Sequence, residues 1–513
     1  MISLTFNKTI INDIKRINDI ISPTYELYIV GGACRDIIMN RIPKDYDLTT
    51  NAIPEELITI FSINDIEHIP TGIKHGTISL IVNNRSYEIT TYRTNEVYDN
   101  AHQPAEVTFT LALKDDLSRR DFTINALAIS ADDFIRIAQQ NELEEDIYPD
   151  LDCMNVDRTK NGIYKICVDN FNGVEDISKR IIRCVGDPLI RFSEDPLRSL
   201  RAIRFALRYE FTIEYATLNA IYETHHLLDN ISKERIRDEL NQILIYWIQL
   251  SYPIWSDEFC YYYKLVSFVV KRVIPDMLMA ATVAQPNPYH KYDLFTHSML
   301  TVYEVGLSYP YNRNTSILEE EIISLILAAL FHDLGKMVTN EFDHKKLIFH
   351  YYNHASHSVK MSEVILKDLK YSNDVIDDVL QLIRYHDSEI INTVPSIKRW
   401  LNKLSLDQLN KLCRLQYADI CTHIERDSVE YRLKWTSIYH TATKIISDKE
   451  AFSLKDLAVD GHTLISWGIA SGPIMGKVLD EILQLVIDDK IKNTVDNISS
   501  YLISNGYISE VVC

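Results

Sequence analysis

The chain has 513 residues, 46% of them hydrophobic and 24% charged, and a formal net charge of −19. That length allows several domains with substantial cores, while the acidic balance excludes indiscriminate binding to nucleic acid, since affinity for a phosphate backbone comes from basic residues. No apolar run is long enough for a membrane span, residues 1–20 lack a signal peptide's continuous apolar core, and eight cysteines without a CxxC pair read as reduced thiols, so a cytoplasmic protein is expected.

The first informative stretch is YIVGGACRDIIMNRIPKDYDLTT, Tyr28 to Thr50. A strand-like run meets Gly31 and Gly32, a short helical pattern follows, and Asp45 and Asp47 then stand one residue apart. On a strand, residues i and i+2 face the same way, so the two carboxylates point together, as a divalent metal beside nucleotide phosphates requires. Glycine is scarce, 14 in the whole chain, yet Gly31, Gly32, Gly72 and Gly76 all fall in the first 76 residues. Glycine marks sharp turns and close approach to a ligand. Further strand-like runs are TISLIV, SYEITTY and AEVTFTLAL, which makes residues 1–172 an α+β domain. Within it, 131–163 is acidic, polar and weakly periodic, and reads as an insertion or exposed loop.

From about 173 onward apolar residues recur at helical spacing, in RSLRAIRFALRYEF, KERIRDELNQILIYWI, IISLILAALFHDL and DVIDDVLQLIRYHD. The polar, proline-bearing stretch 285–293 marks a boundary. The expected organisation is a head, 1–172; a helical neck, 173–285; a domain at 286–425; and a helical tail, 426–513.

The DxD pair acquires companions along the chain. Arg35–Asp36 follow the glycines, Arg119, Arg120 and Asp121 lie in SRRDFTINALA, and Glu194, Asp195 and Arg198 lie in FSEDPLRSLRAIRFA. In order and spacing, GGACRD…DYD, PTGIKHGTISL, EITTYR, SRRDFTINALA and EDPLRSLRAIRFA resemble the class II tRNA nucleotidyltransferase and bacterial poly(A) polymerase family. DLAVDGHTLISWGIASGPIMGKVLDEIL, near the end, resembles the C-terminal segment of members that carry an internal HD domain. The resemblance implies a polymerase-β-like α+β head followed by a mostly α-helical neck, HD domain and RNA-binding tail. It implies template-independent addition of C, C and A to the 3′ end of tRNA from CTP and ATP, with no DNA or membrane partner.

On this resemblance Asp45 and Asp47 hold two Mg²⁺ ions, with Asp121 as a third catalytic residue that accepts from a ribose hydroxyl. Glu88 is a further acidic candidate. Gly31 and Gly32 let backbone N–H groups approach the triphosphate. Arg35 neutralises phosphate charge, Arg119 or Arg120 grips phosphate in bidentate fashion, and Asn125 belongs to the same nucleotide-binding set. Asp195 and Arg198, three residues apart on a helix, share a face. A carboxylate that accepts and a guanidinium that donates match the Watson–Crick edges of C and A and reject U and G, the role the family assigns to EDxxR. Arg198, Arg201, Arg204 and Arg208 form a basic stripe that could follow phosphates or the RNA end. Ser232, Arg235 and Glu239 read as structural.

A second set of candidates lies downstream. His332–Asp333 end an apolar helical pattern, with His297 before them and His354, His386 and Asp419 after. Histidine and carboxylate suit Mn²⁺, Fe²⁺, Ni²⁺ or Zn²⁺. The order H…HD…H…H…D resembles the HD phosphohydrolase superfamily. By that resemblance His297, His332, Asp333 and Asp419 hold one metal, and His354 (or its neighbour His357) and His386 hold a second or bind phosphate, so that a bound metal activates water against a phosphoester. One departure stands out. The loop after EITTYR reads NAHQPAEV, with His102 and Gln103 where the family carries a basic pair, which leaves addition of CC alone or of A alone open. A poly(A) polymerase, or a phosphohydrolase with an RNA-binding head, is also compatible with these motifs.

Overall fold

The computed structural model describes residues 6–94, 97–100, 103–139, 142–143, 165–285, 291–308, 318–345, 348–423 and 428–509. The chain forms two compact units. One comprises residues 1–250 with 254–269, the other 251–253 with 270–513. The division falls inside the stretch expected as the neck. The polar stretch at 285 begins within the second unit, where Gln285 is buried and accepts from Lys336 Nζ at 3.2 Å.

The first unit is built on a seven-stranded mixed sheet. Its strands run, edge to edge, Cys167–Asp169, Leu127–Ser130, Leu27–Val30, Asp47–Thr50, Arg85–Thr91, Thr77–Val82 and Glu67–Gly72. Asp47–Thr50 and Arg85–Thr91 are parallel, and the other neighbours are antiparallel. Strand Thr77–Val82 alternates half-buried and buried residues, the period-2 pattern of a sheet with one covered face. Helix Lys8–Ile21, capped by Asn7, buries Ile11, Ile14, Ile17 and Ile21 at helical spacing. Its Asp13 is fully buried and accepts from Asn83 Nδ2 at 2.6 Å and Tyr87 Oη at 2.8 Å, which pins the helix to the Thr77–Thr91 hairpin. Beyond the sheet come the helices Pro188–Glu194, Leu197–Tyr209, Tyr215–Thr224 and Lys233–Gln249.

Two local expectations change. Residues 131–139 are not loop: Ala131–Gln139 is an amphipathic helix that packs on Lys8–Ile21 and buries Phe134, Ile135 and Ala138. Glu142–Leu143 then pairs with Phe6–Asn7, and 144–164 lie outside the described residues. AEVTFTLAL is not a full strand. A short strand ends at Glu106 and Phe109 makes a single bridge to Arg93, while Leu111 is 79% exposed, so its alternation has no core to face. Gln103 starts that short strand, and His102 lies outside the described residues.

In the second unit the helices Leu294–Leu307, Leu318–Phe331, His354–Asp368, Asn373–Tyr385 and Leu406–Cys421 pack together. A hairpin, Asn340–Asp343 with Ile348–Tyr351, interrupts them. Farther on, a separate apolar cluster gathers Val459, Leu464, Val478, Ile482, Ile498 and Leu502.

Asp13→Ala strands the buried Tyr87 hydroxyl and is expected to destabilise the chain by about 1–3 kcal/mol. Urea unfolding followed by circular dichroism checks it; an unchanged midpoint would show that the pin contributes nothing.

Candidate functional site

The strand Leu27–Val30 ends at Gly31, whose φ of +69° suits glycine. A Cβ there would meet Arg120 Nη1 at 2.8 Å, so this guanidinium lies directly over the turn. Gly31 donates its own amide to the Leu127 carbonyl at 3.1 Å, which removes it from the N–H groups expected to meet a triphosphate. Gly32 opens a helix, Gly32–Ile38, where first-turn amides have no intrahelical acceptor.

Asp47 starts the neighbouring strand in register with Val30, and the parallel pair Leu48–Ile89 sets Glu88 beside it. Asp45 and Asp47 are both exposed with Tyr46 buried between them, as the one-residue spacing predicts. The Asp47 carboxyl is held above its ordinary value. Partial desolvation is the main cause, opposed by Arg120 and reinforced by Glu88 and Asp45. Carboxylates that raise one another's affinity for protons are equally ready for a metal cation.

The arginines sort themselves by partner. Arg119 spends its fork on the fully buried Asp116, with Nε at 2.9 Å and Nη2 at 2.8 Å, whereas Arg120 touches Asp116 only through Nη2 at 3.3 Å. Of the two, Arg120 is the one that faces the glycine turn. Arg35 departs from its expected role. Its side chain is 5% exposed, Nε and Nη2 donate to Asp36, Nη1 donates to Asn125 Oδ1, and the guanidinium lies 4.6 Å over the Tyr209 ring. In this structure Arg35 is an internal brace.

Asp121 differs as well. It accepts from the Phe122 amide, Asn125 Nδ2, and Arg201 through both Nε at 3.0 Å and Nη2 at 2.8 Å. With four donors in place it holds its neighbours together, and Asn125 links it to Arg35. Arg204 donates to Glu239 at 2.8 Å. Arg201 and Arg204 are thus held by carboxylates within the unit, not aligned as an open phosphate track.

Asp195 is not on the helix with Arg198. It has φ −139° and ψ 97° because Pro196 follows it, and a residue before proline is pushed out of the α region. The helix Leu197–Tyr209 begins beyond it. Asp195 Oδ1 accepts from the Leu197 amide, and Oδ2 lies 3.5 Å from Arg235. Arg198 donates to Glu194, to the Arg191 carbonyl and to the Arg119 carbonyl. The two side chains stand close in sequence, each with its own partner.

In the second unit the predicted residues converge. His297, His332 and Asp419 offer ligand atoms within 4.8 Å of one another, and so do Asp333, His354 and His386. Asp333 joins the groups. Its Oδ2 is 3.3 and 3.2 Å from the Nε2 atoms of His297 and His332, and its Oδ1 is 3.3 and 3.6 Å from those of His354 and His386. The expected set His297, His332, Asp333 and Asp419 is thus gathered, and Asp333 reaches His354 and His386 as well through its other oxygen. His357 is exposed and outside both groups.

The hydrogen bonds behind the ligands fix the tautomers. Nδ1 of His332, His354 and His386 faces the carbonyls of Ala329, Tyr351 and Ile383 at 2.9, 3.0 and 2.7 Å. A carbonyl only accepts, so each Nδ1 carries the proton and each Nε2 turns a lone pair inward. His297 Nε2 is 3.3 Å from that of His332, and His354 Nε2 is 3.1 Å from that of His386. Acceptors at such distances need a shared cation. Without a metal the site draws protons: burial alone would lower His332, but Asp333 and Asp419 push it up to about 10. Burial likewise opposes ionisation of Asp333 and Asp419, and the imidazoles, with Lys336 at Asp333, hold both well below the usual carboxylate range.

Residues 27–183 match the family model described as "Poly A polymerase head domain", 210–247 that of the "Probable RNA and SrmB- binding site of polymerase A", and 344–502 that of "tRNA nucleotidyltransferase domain 2". The CCA-adding enzyme of Lactobacillus helveticus is 30% identical over 486 residues, covering 93% of each chain. This chain belongs to the CCA-adding enzyme family. That of Enterococcus faecalis is 39% identical over 241 residues, 46% of this chain and 50% of its own. Among solved structures, a Bacillus stearothermophilus CCA-adding enzyme in complex with CTP matches with a TM-score of 0.58 at 21% identity, over 98% of this chain and 97% of that one. A Thermotoga maritima CCA-adding enzyme complexed with tRNA matches at 0.53 and 17%, over 97% and 94%. These two likenesses establish the fold, a polymerase-β-like head and a mostly helical remainder.

Within this CCA-adding family member, sequence reasoning missed Asp116, which holds Arg119 and Arg120, and Thr422, which holds His297, and took Arg235 and Glu239 as structural. Asp116 left a trace, since it stands three and four residues before Arg119 and Arg120, the spacing of helical ion pairs.

Burial would raise the Asp121 carboxyl, and Arg201, Asn125 and the Phe122 amide more than reverse it, so its pKa lies below the ordinary 3.8. A depressed carboxylate stabilises the fold above its unfolded pKa and loses that contribution as pH falls through the folded one. The stability advantage of the native chain over Asp121→Asn should therefore be full at pH 5 and shrink below about pH 4. Urea midpoints between pH 5 and 2 check this, and a constant difference would refute it.

Proposed function

We propose that this chain adds C, C and A to the 3′ end of tRNA from CTP and ATP without a nucleic-acid template. The observation that carries the reading is the gathering of Asp45, Asp47 and Glu88 beside the Gly31 turn with Arg120 over it. Relatives named CCA-adding enzymes, including one similar over nearly the whole chain, support it. Asp45 and Asp47 would hold Mg²⁺, which when bound supplies activation of the RNA 3′-hydroxyl and charge for the leaving pyrophosphate. Arg120, steadied by Asp116, grips phosphate near the turn. Asp195 and Arg198 read the amino and ring-nitrogen edge shared by C and A, with the Leu197 amide and Arg235 setting the carboxylate's direction. The family description of residues 27–183 also fits a poly(A) polymerase, and sequencing the products separates the readings: CCA ends against long A tails, or CC or A alone.

The division of labour follows. Residues 1–172 act as head, 173–285 as neck, 286–425 as an HD-type phosphohydrolase domain using Mn²⁺, Ni²⁺, Fe²⁺ or Zn²⁺, and 426–513 as an RNA-binding tail. The inward lone pairs of four histidines around Asp333 support the third of these. No helix among the described residues is long and apolar enough to cross a membrane, and we place the protein in the cytoplasm.

On tRNA lacking its 3′ end, Asp45→Ala with Asp47→Ala should cut addition about a thousandfold or more. Unchanged rates would remove these residues from the reaction. Asp195→Ala should admit UTP and GTP alongside CTP and ATP, read by sequencing 3′ ends. Gly31→Ala should displace Arg120 and raise KM for CTP about tenfold, the loss of one charge-assisted hydrogen bond. His332→Ala with Asp333→Ala should abolish Mn²⁺- or Ni²⁺-dependent phosphodiesterase activity while CCA addition persists; equal hydrolysis by both chains would remove the second centre from that chemistry.

A further inference from the structure

We infer that the Tyr351 hydroxyl is a substrate-binding donor of the second centre. It donates a hydrogen bond to a phosphoryl oxygen of the phosphoester taken by the cluster of His297, His332, Asp333, His354, His386 and Asp419. This role rests on the reading of that cluster as a metal-dependent phosphohydrolase centre, and it adds a group that neither the order of the motifs nor the ligand set contains.

Tyr351 closes the hairpin strand Ile348–Tyr351, three residues before His354. Its carbonyl accepts from His354 Nδ1 at 3.0 Å, so its backbone already orients one of the candidate ligands. Its ring lies against Lys336, whose Nζ is 5.5 Å from the ring centroid and 2.6 Å from Asp333 Oδ2. Gly335 locks these two segments together. Its amide donates to Ser358 Oγ at 2.8 Å, and a Cβ on it would meet the His354 carbonyl at 2.1 Å. The phenol is thus held beside the Asp333 side of the centre, and burial, reinforced by the Asp333 charge, raises its pKa above the ordinary 10.

The hydroxyl itself is orphaned. Tyr351 Oη is buried, yet among the described residues it has no hydrogen-bond partner. A buried hydroxyl left unpaired is costly to a fold, and most such groups are satisfied. Packing, and the contact with Lys336, need only the ring, which phenylalanine would supply without that cost. The oxygen has a use where a ligand completes it. Its surroundings decide which ligand. A carboxylate and the inward lone pair of an imidazole only accept, and a metal takes them. A phosphoester drawn to that metal brings anionic oxygens, which require donors. Tyr351 supplies an O–H next to the Lys336 ammonium, and a neutral donor beside a cation suits an anion.

The test uses the full chain carrying Asp45→Ala and Asp47→Ala, so that the head takes up no metal. Tyr351→Phe removes the hydroxyl and keeps the ring and the carbonyl. The probe is inorganic phosphate, titrated calorimetrically into the Mn²⁺-loaded chain. Binding that persists in a chain with His332→Ala and Asp333→Ala is subtracted as the head's own. Mn²⁺ affinity, from the electron paramagnetic resonance signal of the free ion, and urea unfolding without metal are measured on the same chains. The expected result for Phe is about 10–100-fold weaker phosphate binding, the loss of one hydrogen bond to a charged group. Mn²⁺ affinity should stay native, and the urea midpoint should be no lower than the parent's. Native phosphate affinity would overturn the inference. So would an equal loss of Mn²⁺ affinity, which would place the hydroxyl on the metal, and so would a lowered urea midpoint or a failure to fold, which would give it a structural partner. A parent that takes up no Mn²⁺, or binds no phosphate above the subtracted background, would overturn the phosphohydrolase reading and this role with it.

Discussion

A buried carboxylate has lost its water, and the loss costs several kcal/mol unless positive charge or good donors replace it. The first unit answers this constraint repeatedly. Asp116 meets Arg119 and Arg120, Asp121 meets Arg201, Asp176 meets Arg183, and Asp13 meets an amide and a phenol. Several of these pairs join segments far apart in sequence, so they set where the strands and helices place their ends. Asp45, Asp47 and Glu88 stand apart from this pattern. Asp47 and Glu88 sit on neighbouring strands with Asp45 just before the first, and the Asp47 carboxyl is raised where those of Asp116 and Asp121 are lowered. Arg120 only partly offsets this rise at Asp47.

The second unit solves the same problem with imidazole. Asp333 is buried among four histidines and Lys336, and backbone carbonyls or Thr422 hold the Nδ1 protons outward. A hydrophobic helix end at Phe331 brings His332 and Asp333 into the interior, where unpaired they would be costly. The buried carboxylates and imidazoles thus offset one another's desolvation.

The partners of the arginines also explain how an acidic chain manages phosphate. Several guanidiniums that look available in sequence are consumed inside the first unit. Arg35 stacks on Tyr209 and braces Asn125, Arg201 and Arg204 hold Asp121 and Glu239, and Arg119 is bound by Asp116. Arg120 is left facing the glycine turn. Basic residues here serve first as counter-ions for buried acids, and Arg120 is the one of this group that lies over the glycine turn.

Much of this was legible without coordinates. The alternation around Tyr46, the glycine turn, the four long helical patterns and the histidine–aspartate set are local or ordered features, and chain order alone preserves them. What failed were statements about which side chains meet. Pro196 took Asp195 off the helix it was expected to share with Arg198. Hydrogen bonds tie Arg35, Asn125 and Asp121 to one another, which their separate motifs did not show, and a helix at 131–139 replaced expected loop because its apolar stripe found Lys8–Ile21. The sequence by itself determined the family, the two centres and the residue types that populate them, since periodicity and motif spacing are written along the chain. Only the tertiary structure decided which carboxylates are neutralised by arginine and which are not, because that depends on pairs 80 residues apart, such as Asp121 with Arg201, whose meeting no local pattern encodes.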